Sequence, residues 1–222
     1  MANNFKNSFA SIVTAGENYQ STATATTGDE NHTGPQVVYR AHDGSSDVNS
    51  ILVELDASNT GNAGISVTAF ITDFSSMNGT ATTGLSTGTV SSITSTSDIA
   101  TVTFSANHNL QVGQYVYIGG STTAYVNGIY KVASIPTAAS FTYAQNASAS
   151  NGTAAAGNTD GDFNAHRVLK AYHIVKDVPI PANSTLKIVA GQKIVLNGGD
   201  KVYAYASAAH CDVIGGILEG VS

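Results

Sequence analysis

The chain has one cysteine, Cys211, in 222 residues. That excludes a disulfide framework and fits synthesis in a reducing compartment. It is also poor in positive charge: nine lysines and arginines are spread thinly against a formal net charge of −6, so no basic patch exists for phosphate contacts and nucleic acid is not an expected partner. Long apolar runs are missing as well. None approaches the ~18 residues that cross a bilayer, and the opening MANNFKNSFASIVTAGENYQ has no basic region followed by an apolar core, so neither a membrane partner nor a signal peptide is expected. Without secretion, sequons such as Asn31-His32-Thr33 and Asn183-Ser184-Thr185 carry no weight.

Charged residues make up 11% of the chain, against roughly 25% in an average soluble domain. Ser, Thr, Ala, Asn and Gly take their place. Ser, Thr and Asn compete for backbone hydrogen bonds and Gly loses most entropy on ordering, so long helices are disfavoured and short strands with many turns are favoured. Apolar residues at 42% suffice for one large β domain or two small ones.

Residues 1–36 show little periodicity and read as an N-terminal arm or loop. Two-fold alternation starts beyond them. In NSILVELDAS, Ile51, Val53 and Leu55 oppose Leu52, Glu54 and Asp56; in ISVTAFITD, Ile65, Val67, Ala69 and Ile71 oppose Ser66, Thr68, Phe70 and Thr72. This is the pattern of half-buried strands, and the intervening SNTGNAG predicts that they pair as a hairpin. Two Gly- and Thr-rich stretches, 75–88 and 146–162, bound a segment with strands of its own: IATVTFS, QYVYIGG, GIYKVASI and SFTYAQ. A module inserted at a loop explains that arrangement. Strands then resume in HRVLKAYHIVKDV, PIPANSTLKIV, QKIVL, KVYAYAS and CDVIGGILEG, with the prolines placed at an edge or strand start. The expected architecture is all-β: an antiparallel, jelly-roll-like β-sandwich from residues 37–88 and 165–222, interrupted by a small β-barrel at 89–148 and a linker at 149–164.

Two segments carry resemblances. HNL, VGQYVYIGG, YVNGIYKV and SFTY, within residues 99–145, resemble a small β-barrel module recurrent in bacteriophage virion proteins and similar to the barrel inserted in ubiquitin-activating enzymes. The pattern departs at Asn109 and Gln114, where the module has Gly and Asp, and Val126 separates Tyr125 from Asn127. Residues 172–219, with KDVPIPANSTL, KIVLNGGDKV and a final CDVIGGILE strand, resemble small virion proteins of tailed phages. Together the resemblances cover about half the chain and imply a virion structural component.

Residues that could carry chemistry have plainer readings. His210, Cys211 and Asp212 spell a nucleophilic triad, yet in a strand Cys211 points away from its two neighbours, and the other histidines, His32, His42, His108, His166 and His173, sit in no protease signature. Gly119-Gly120, Gly198-Gly199 and Gly215-Gly216 open no helix and match no phosphate loop; NGGD predicts a hairpin turn with positive φ, and Gly215-Gly216 a bulge or close-packing site. Asp160 and Asp162 lack the further ligands of a Ca²⁺ loop. No catalytic residue, metal or cofactor is therefore expected. Half of the ten tyrosines lie in the insert: Tyr115, Tyr117, Tyr125, Tyr130 and Tyr143. Several must form its core, but Tyr115 and Tyr117 share a face opposite Val116 and Ile118 and are the candidate contacts for a partner or glycan.

The resulting expectation is a non-enzymatic phage virion protein, synthesised and assembled in the host cytoplasm. Its expected partners are itself, as a homotrimer, and the major capsid protein or other virion proteins, with the role of capsid decoration or cement. The alternative is a neck, tail or fibre component whose insert binds a host surface glycan. A glycan-degrading enzyme ranks third, because depolymerases need paired carboxylates on a large scaffold.

Overall fold

A computed structural model describes residues 4–12, 35–41, 49–77, 85–86, 88–121, 126–145, 152–154 and 166–221. The first strands are β1 (Asn4–Ile12), β2 (Gln36–Arg40), β3 (Asn49–Asn59) and β4 (Ile65–Asp73), followed by a 3-10 turn at Phe74–Ser76. Next come β5 (Val90–Thr96), β6 (Ile99–Phe104), β7 (Tyr115–Gly119), β8 (Gly128–Lys131), β9 (Ser134–Thr137), β10 (Ser140–Ala144) and β11 (Gly152–Thr153). The last four are β12 (Arg167–Ile180), β13 (Ser184–Leu196), β14 (Lys201–Ala206) and β15 (Cys211–Val221). The described residues are thus all-β, with every ladder antiparallel. They divide into two compact units, one drawn from residues 1–17, 34–74 and 172–222 and the other, in its described part, from 75–171.

In the first unit two sheets, β1-β15-β3-β13 and β2-β14-β4-β12, enclose one core. Leu52, Leu55 and Ala57 of β3 and Val213 and Ile217 of β15 meet Val67 and Ala69 of β4 and Val202, Ala204 and Ala206 of β14. The face of β4 that alternation marks as apolar, Ile65, Val67, Ala69 and Ile71, lies against this core. A polar tie joins the sheets at one end: the Tyr39 hydroxyl donates to Glu219 Oε1 at 2.8 Å and lies 2.9 Å from Ser50 Oγ. Burial is the main influence pushing the Tyr39 hydroxyl up to about 12. It therefore stays protonated and able to donate.

Several local expectations change. β3 and β4 do not form a hairpin: β3 ladders with β13 and β15, and β4 with β14, so the turn between them carries the chain from one sheet to the other. NGGD likewise joins β13 to β14 in opposite sheets, although Gly199 has the positive φ expected of it, +88°. Strict alternation fails in β3, where Leu52 and Leu55 both enter the core. The ladder slips between Gly216 and Ile217, leaving Val53 as the extra residue of a bulge that re-aims Leu52. Pro179 lies near the end of β12 and Pro181 just after it, not at the start of β13; the stretch of β12 that holds Pro179 is at the edge of its sheet, as the expectation for the prolines allowed. Residues 4–12, expected in an unpatterned arm, form β1, laddered with β15 over nine residue pairs. The pairing was illegible because the residues of β1 that face inward include Lys6 and Ser8, while its two phenylalanines face outward.

The second unit holds the open sheets β11-β5-β6-β10-β9 and, through the first residues of β12, β12-β7-β8. Phe104, Phe141, Tyr130, Tyr143, Val116 and Ile118 share its core. His108 packs between Phe104 and Phe141, with ring centroids at 5.6 and 5.8 Å, and its Nδ1 accepts the Leu110 N–H at 3.2 Å. β5 has no counterpart among the strands expected from sequence, because its Ser- and Thr-rich VSSITST buries little beyond Ile93. It turns into β6 through Ser97 and Asp98, both at positive φ, +50° and +63°, the geometry of a type I′ hairpin built without glycine.

Candidate functional site

The triad letters resolve into three separate environments. Cys211 is fully buried in the core of the first unit, opposite Ile12 of β1 and Asn59 of β3. Burial there pushes its thiol up to about 11, the reverse of what a nucleophilic cysteine requires. His210 is an exposed turn residue at φ +70°, and Asp212 accepts a 2.7 Å hydrogen bond from Ser11 Oγ across the β1–β15 ladder. Cys211→Ser is expected to lower stability by about 1–3 kcal/mol, the cost of a hydroxyl in an apolar site, which urea unfolding measures.

Tyr115 and Tyr117 part company. Val116 and Ile118 do enter the core, yet Tyr117 on the opposite face is only 2% exposed. Its ladder neighbours on that face, Leu169 of β12 and Ile129 of β8, are buried with it. The central strand of this sheet is covered on both sides, which alternation alone does not reveal. Tyr117 therefore offers no contact surface, and Tyr115 is half-buried. Tyr130 and Tyr143 are core residues with ring centroids 4.1 Å apart, the rings tilted by 31°. Asn127 joins its Oδ1 to the Ser121 N–H and its Nδ2 to the Ser121 carbonyl. These residues thus hold the second unit together.

Asp160 and Asp162 lie outside the described residues, as do His32, His42 and Tyr125. Among the described residues no group of three or more His, Cys, Asp or Glu side chains is arranged to hold a metal ion. Gly215 and Gly216 are buried in β15 beside the bulge.

What sequence reasoning missed is the outer face of the β1-β15-β3-β13 sheet. Register places Phe5, Leu218, Ile51 and Val195 in one row across all four strands. Two positions along, Phe9 stands beside Ile214. Of the eight large apolar side chains exposed among the described residues, four are on this face: Phe5 (71%), Phe9 (68%), Val195 (58%) and Ile214 (42%). No family model, curated protein or solved structure matches the chain. Its function must therefore be argued from such surfaces.

The opposite end of the same face is polar. There Ser11 Oγ bonds Asp212, and Ser58 Oγ lies 2.9 Å from Thr185 Oγ1. Between the two ends Lys187 pairs with Glu54 at 3.3 Å. On that side of the Phe5 row, charges and hydroxyls replace apolar side chains along the face. The only signal for it in the sequence is the Phe5/Phe9 spacing, which is equally the signature of an inward-facing strand.

The opposite sheet contains a titration-sensitive residue, His173, held below the ordinary histidine range first by burial and second by Lys176, against a smaller opposing pull from Asp177. Its folded value lies below the unfolded one, so the unfolded chain takes up the proton first as pH falls. Stability that is present above about pH 6.5 is then lost as pH drops toward the folded value. Melting temperature is expected to fall between pH 7.5 and pH 5, with a shallower fall in His173→Gln.

Proposed function

We propose that the chain is a non-enzymatic virion structural protein of a tailed phage, working as a capsid decoration or cement protein through contacts with copies of itself and with the particle surface. The single observation that carries this reading is the exposed apolar side chains on the outer sheet face. A Phe side chain contributes about 1.5–3 kcal/mol when taken out of water, and Phe5 and Phe9 leave about two thirds or more of their surface in it. The mechanism is area: roughly 800 Å² per partner, repeated over many copies, stabilises a shell that single contacts cannot hold.

The finer architecture belongs to the same proposal. Along the first unit the chain alternates between its two sheets at each of the connections β3–β4, β12–β13, β13–β14 and β14–β15. This alternation and the sheet orders β1-β15-β3-β13 and β2-β14-β4-β12 support reading the first unit as an eight-stranded jelly roll. The second unit is its inserted barrel-like module, entering between β4 and β12. The resemblances to phage virion proteins over residues 99–145 and 172–219 support both points.

Copy number in the purified particle tests the role. Hundreds of copies per particle are expected of a decoration protein, whereas three, six or twelve would replace this reading with a neck or tail component. Glycan recognition by the insert has lost Tyr117 as a contact, and Tyr115→Ala is expected to leave particle binding and assembly unchanged.

A further inference from the structure

We propose that two copies of the chain pair edge to edge through β1, antiparallel about a two-fold axis at Asn7, so that the β1-β15-β3-β13 sheets of both copies join into one. This deepens the self-association part of the proposed function and rests on it.

Among the described residues β1 has a ladder partner on one side only, and its nine residues pair with β15 without a register shift. It contains no proline, and its one charge, Lys6, is on the face opposite Phe5 and Phe9, where it pairs with Glu219 at 3.3 Å. Such an edge presents a row of unpaired N–H and C=O groups, a template for another strand. The sheet's other edge is defended. β13 slips register twice, at Lys187/Val189 and Ala190/Ile194, has Gly191 at φ +74°, and exposes Lys187 and Lys193.

The sequence of β1 then selects the occupant and the register. With Asn7 opposite its own copy, Phe5 of each chain lies opposite Phe9 of the other, and Lys6 faces Ser8. Centring on Lys6 would oppose two like charges. Centring on Ser8 would set Phe5 against Ser11 and Phe9 against Asn7. Only the Asn7 register pairs both phenylalanines with phenylalanine, and it continues the row Val195, Ile51, Leu218, Phe5 into Phe9 and Ile214 of the second copy. Cross-strand aromatic pairs at this spacing are favourable. The interface is isologous, so it closes as a dimer and not as a trimer.

Cysteine cross-linking tests the register directly, because Cys211 is buried and an introduced thiol is the reactive one. Asn7→Cys is expected to give a disulfide-linked dimer on mild oxidation. Ser11→Cys, on the same face but about 26 Å from its own copy in this register (eight residues at about 3.3 Å), is expected to give none. Phe9→Asp is expected to raise the dimer dissociation constant about a hundredfold or more in sedimentation equilibrium, with far-UV circular dichroism unchanged. An oligomer in which Asn7→Cys fails to cross-link, or in which Ser11→Cys cross-links as well, overturns β1 pairing and leaves self-association standing. A wild-type monomer at every concentration overturns both. If Phe9→Asp fails to fold, the cysteine pair still decides.

Discussion

Asn59→Ala should lower unfolding free energy by about 2–4 kcal/mol. Asn59 is 2% exposed at the end of β3. Its Nδ2 donates to the Ala63 carbonyl at 2.7 Å, the Pro181 carbonyl at 3.1 Å and the Ile180 carbonyl at 3.2 Å, while its Oδ1 accepts the Gly61 N–H at 3.0 Å. One side chain thus shapes the turn from β3 into β4 and fastens that turn to the end of β12. Alanine leaves four backbone groups without these partners. Each buried, unsatisfied group costs about 1–3 kcal/mol, and water reaches those near the surface, which keeps the total below the full sum. Asn59→Asp should be at least as harmful, since it keeps the acceptor and sets a carboxylate against three carbonyls. Urea unfolding with an unchanged m-value would attribute the loss to the folded state; a loss under about 0.5 kcal/mol for Asn59→Ala would show that the turn does not depend on these bonds.

Gly199→Ala is expected to cost a similar amount, about 2–4 kcal/mol, for a different reason. The residue sits at φ +88°, and a Cβ there would lie 2.5 Å from Cγ and Cδ1 of Phe74. The left-handed backbone accounts for about 1–2 kcal/mol, and displacing a packed ring for about 1–3 more. Phe74 has little room to yield, because its N–H is bonded to Asp200 Oδ1 at 2.9 Å and Asp200 Oδ2 accepts the Asn197 N–H at 2.9 Å. Gly191 provides the comparison: it shares the positive φ, +74°, with nothing within 4 Å of the added Cβ. Gly191→Ala should therefore show the backbone cost alone, about 1–2 kcal/mol. Equal thermal shifts for the two variants would refute the contact with Phe74 as the source of the difference.

Asp200 shows why the surroundings of a turn decide its chemistry. Burial holds its carboxyl above the ordinary range despite the two N–H donors that favour the charged form. NGGD alone announces a turn and a positive φ; that this turn is packed under Phe74 follows only once the chain has crossed between sheets.

Alternation located the core-facing side even where the other side is not in water. Ile65, Val67, Ala69 and Ile71 line up against the core, although Thr68, Phe70 and Thr72 on the opposite face of β4 are buried as well, so that strand is not the half-buried one expected. Phe141 and Tyr143 likewise enter the core of the second unit. β5 was illegible because hydroxyl-bearing residues form most of it. Tyr117 was misplaced because its sheet is covered on both faces, where alternation carries no information about exposure. The pair Phe5 and Phe9 shows the opposite failure, an apolar face turned outward.

Composition, turn residues and period-two patterning by themselves determined that this chain is built of antiparallel strands, that Cys211 belongs in a core, and where most turns fall. These depend on local backbone preference and on burial of nearby side chains, so the local sequence contains them. The length of β12 and β13, 14 and 13 residues, was not among them, and the strands expected in PIPANSTLKIV and QKIVL are the single strand β13. Which strands pair was decided only by the tertiary structure. A turn such as SNTGNAG satisfies its own backbone equally well whether the chain folds back beside itself or crosses to the facing sheet, and only long-range burial chooses between the two. The same holds for the outer face of β1: its exposure is fixed by Ile12, Ala10 and Ser8 packing inward, a choice made by strands some two hundred residues away along the chain.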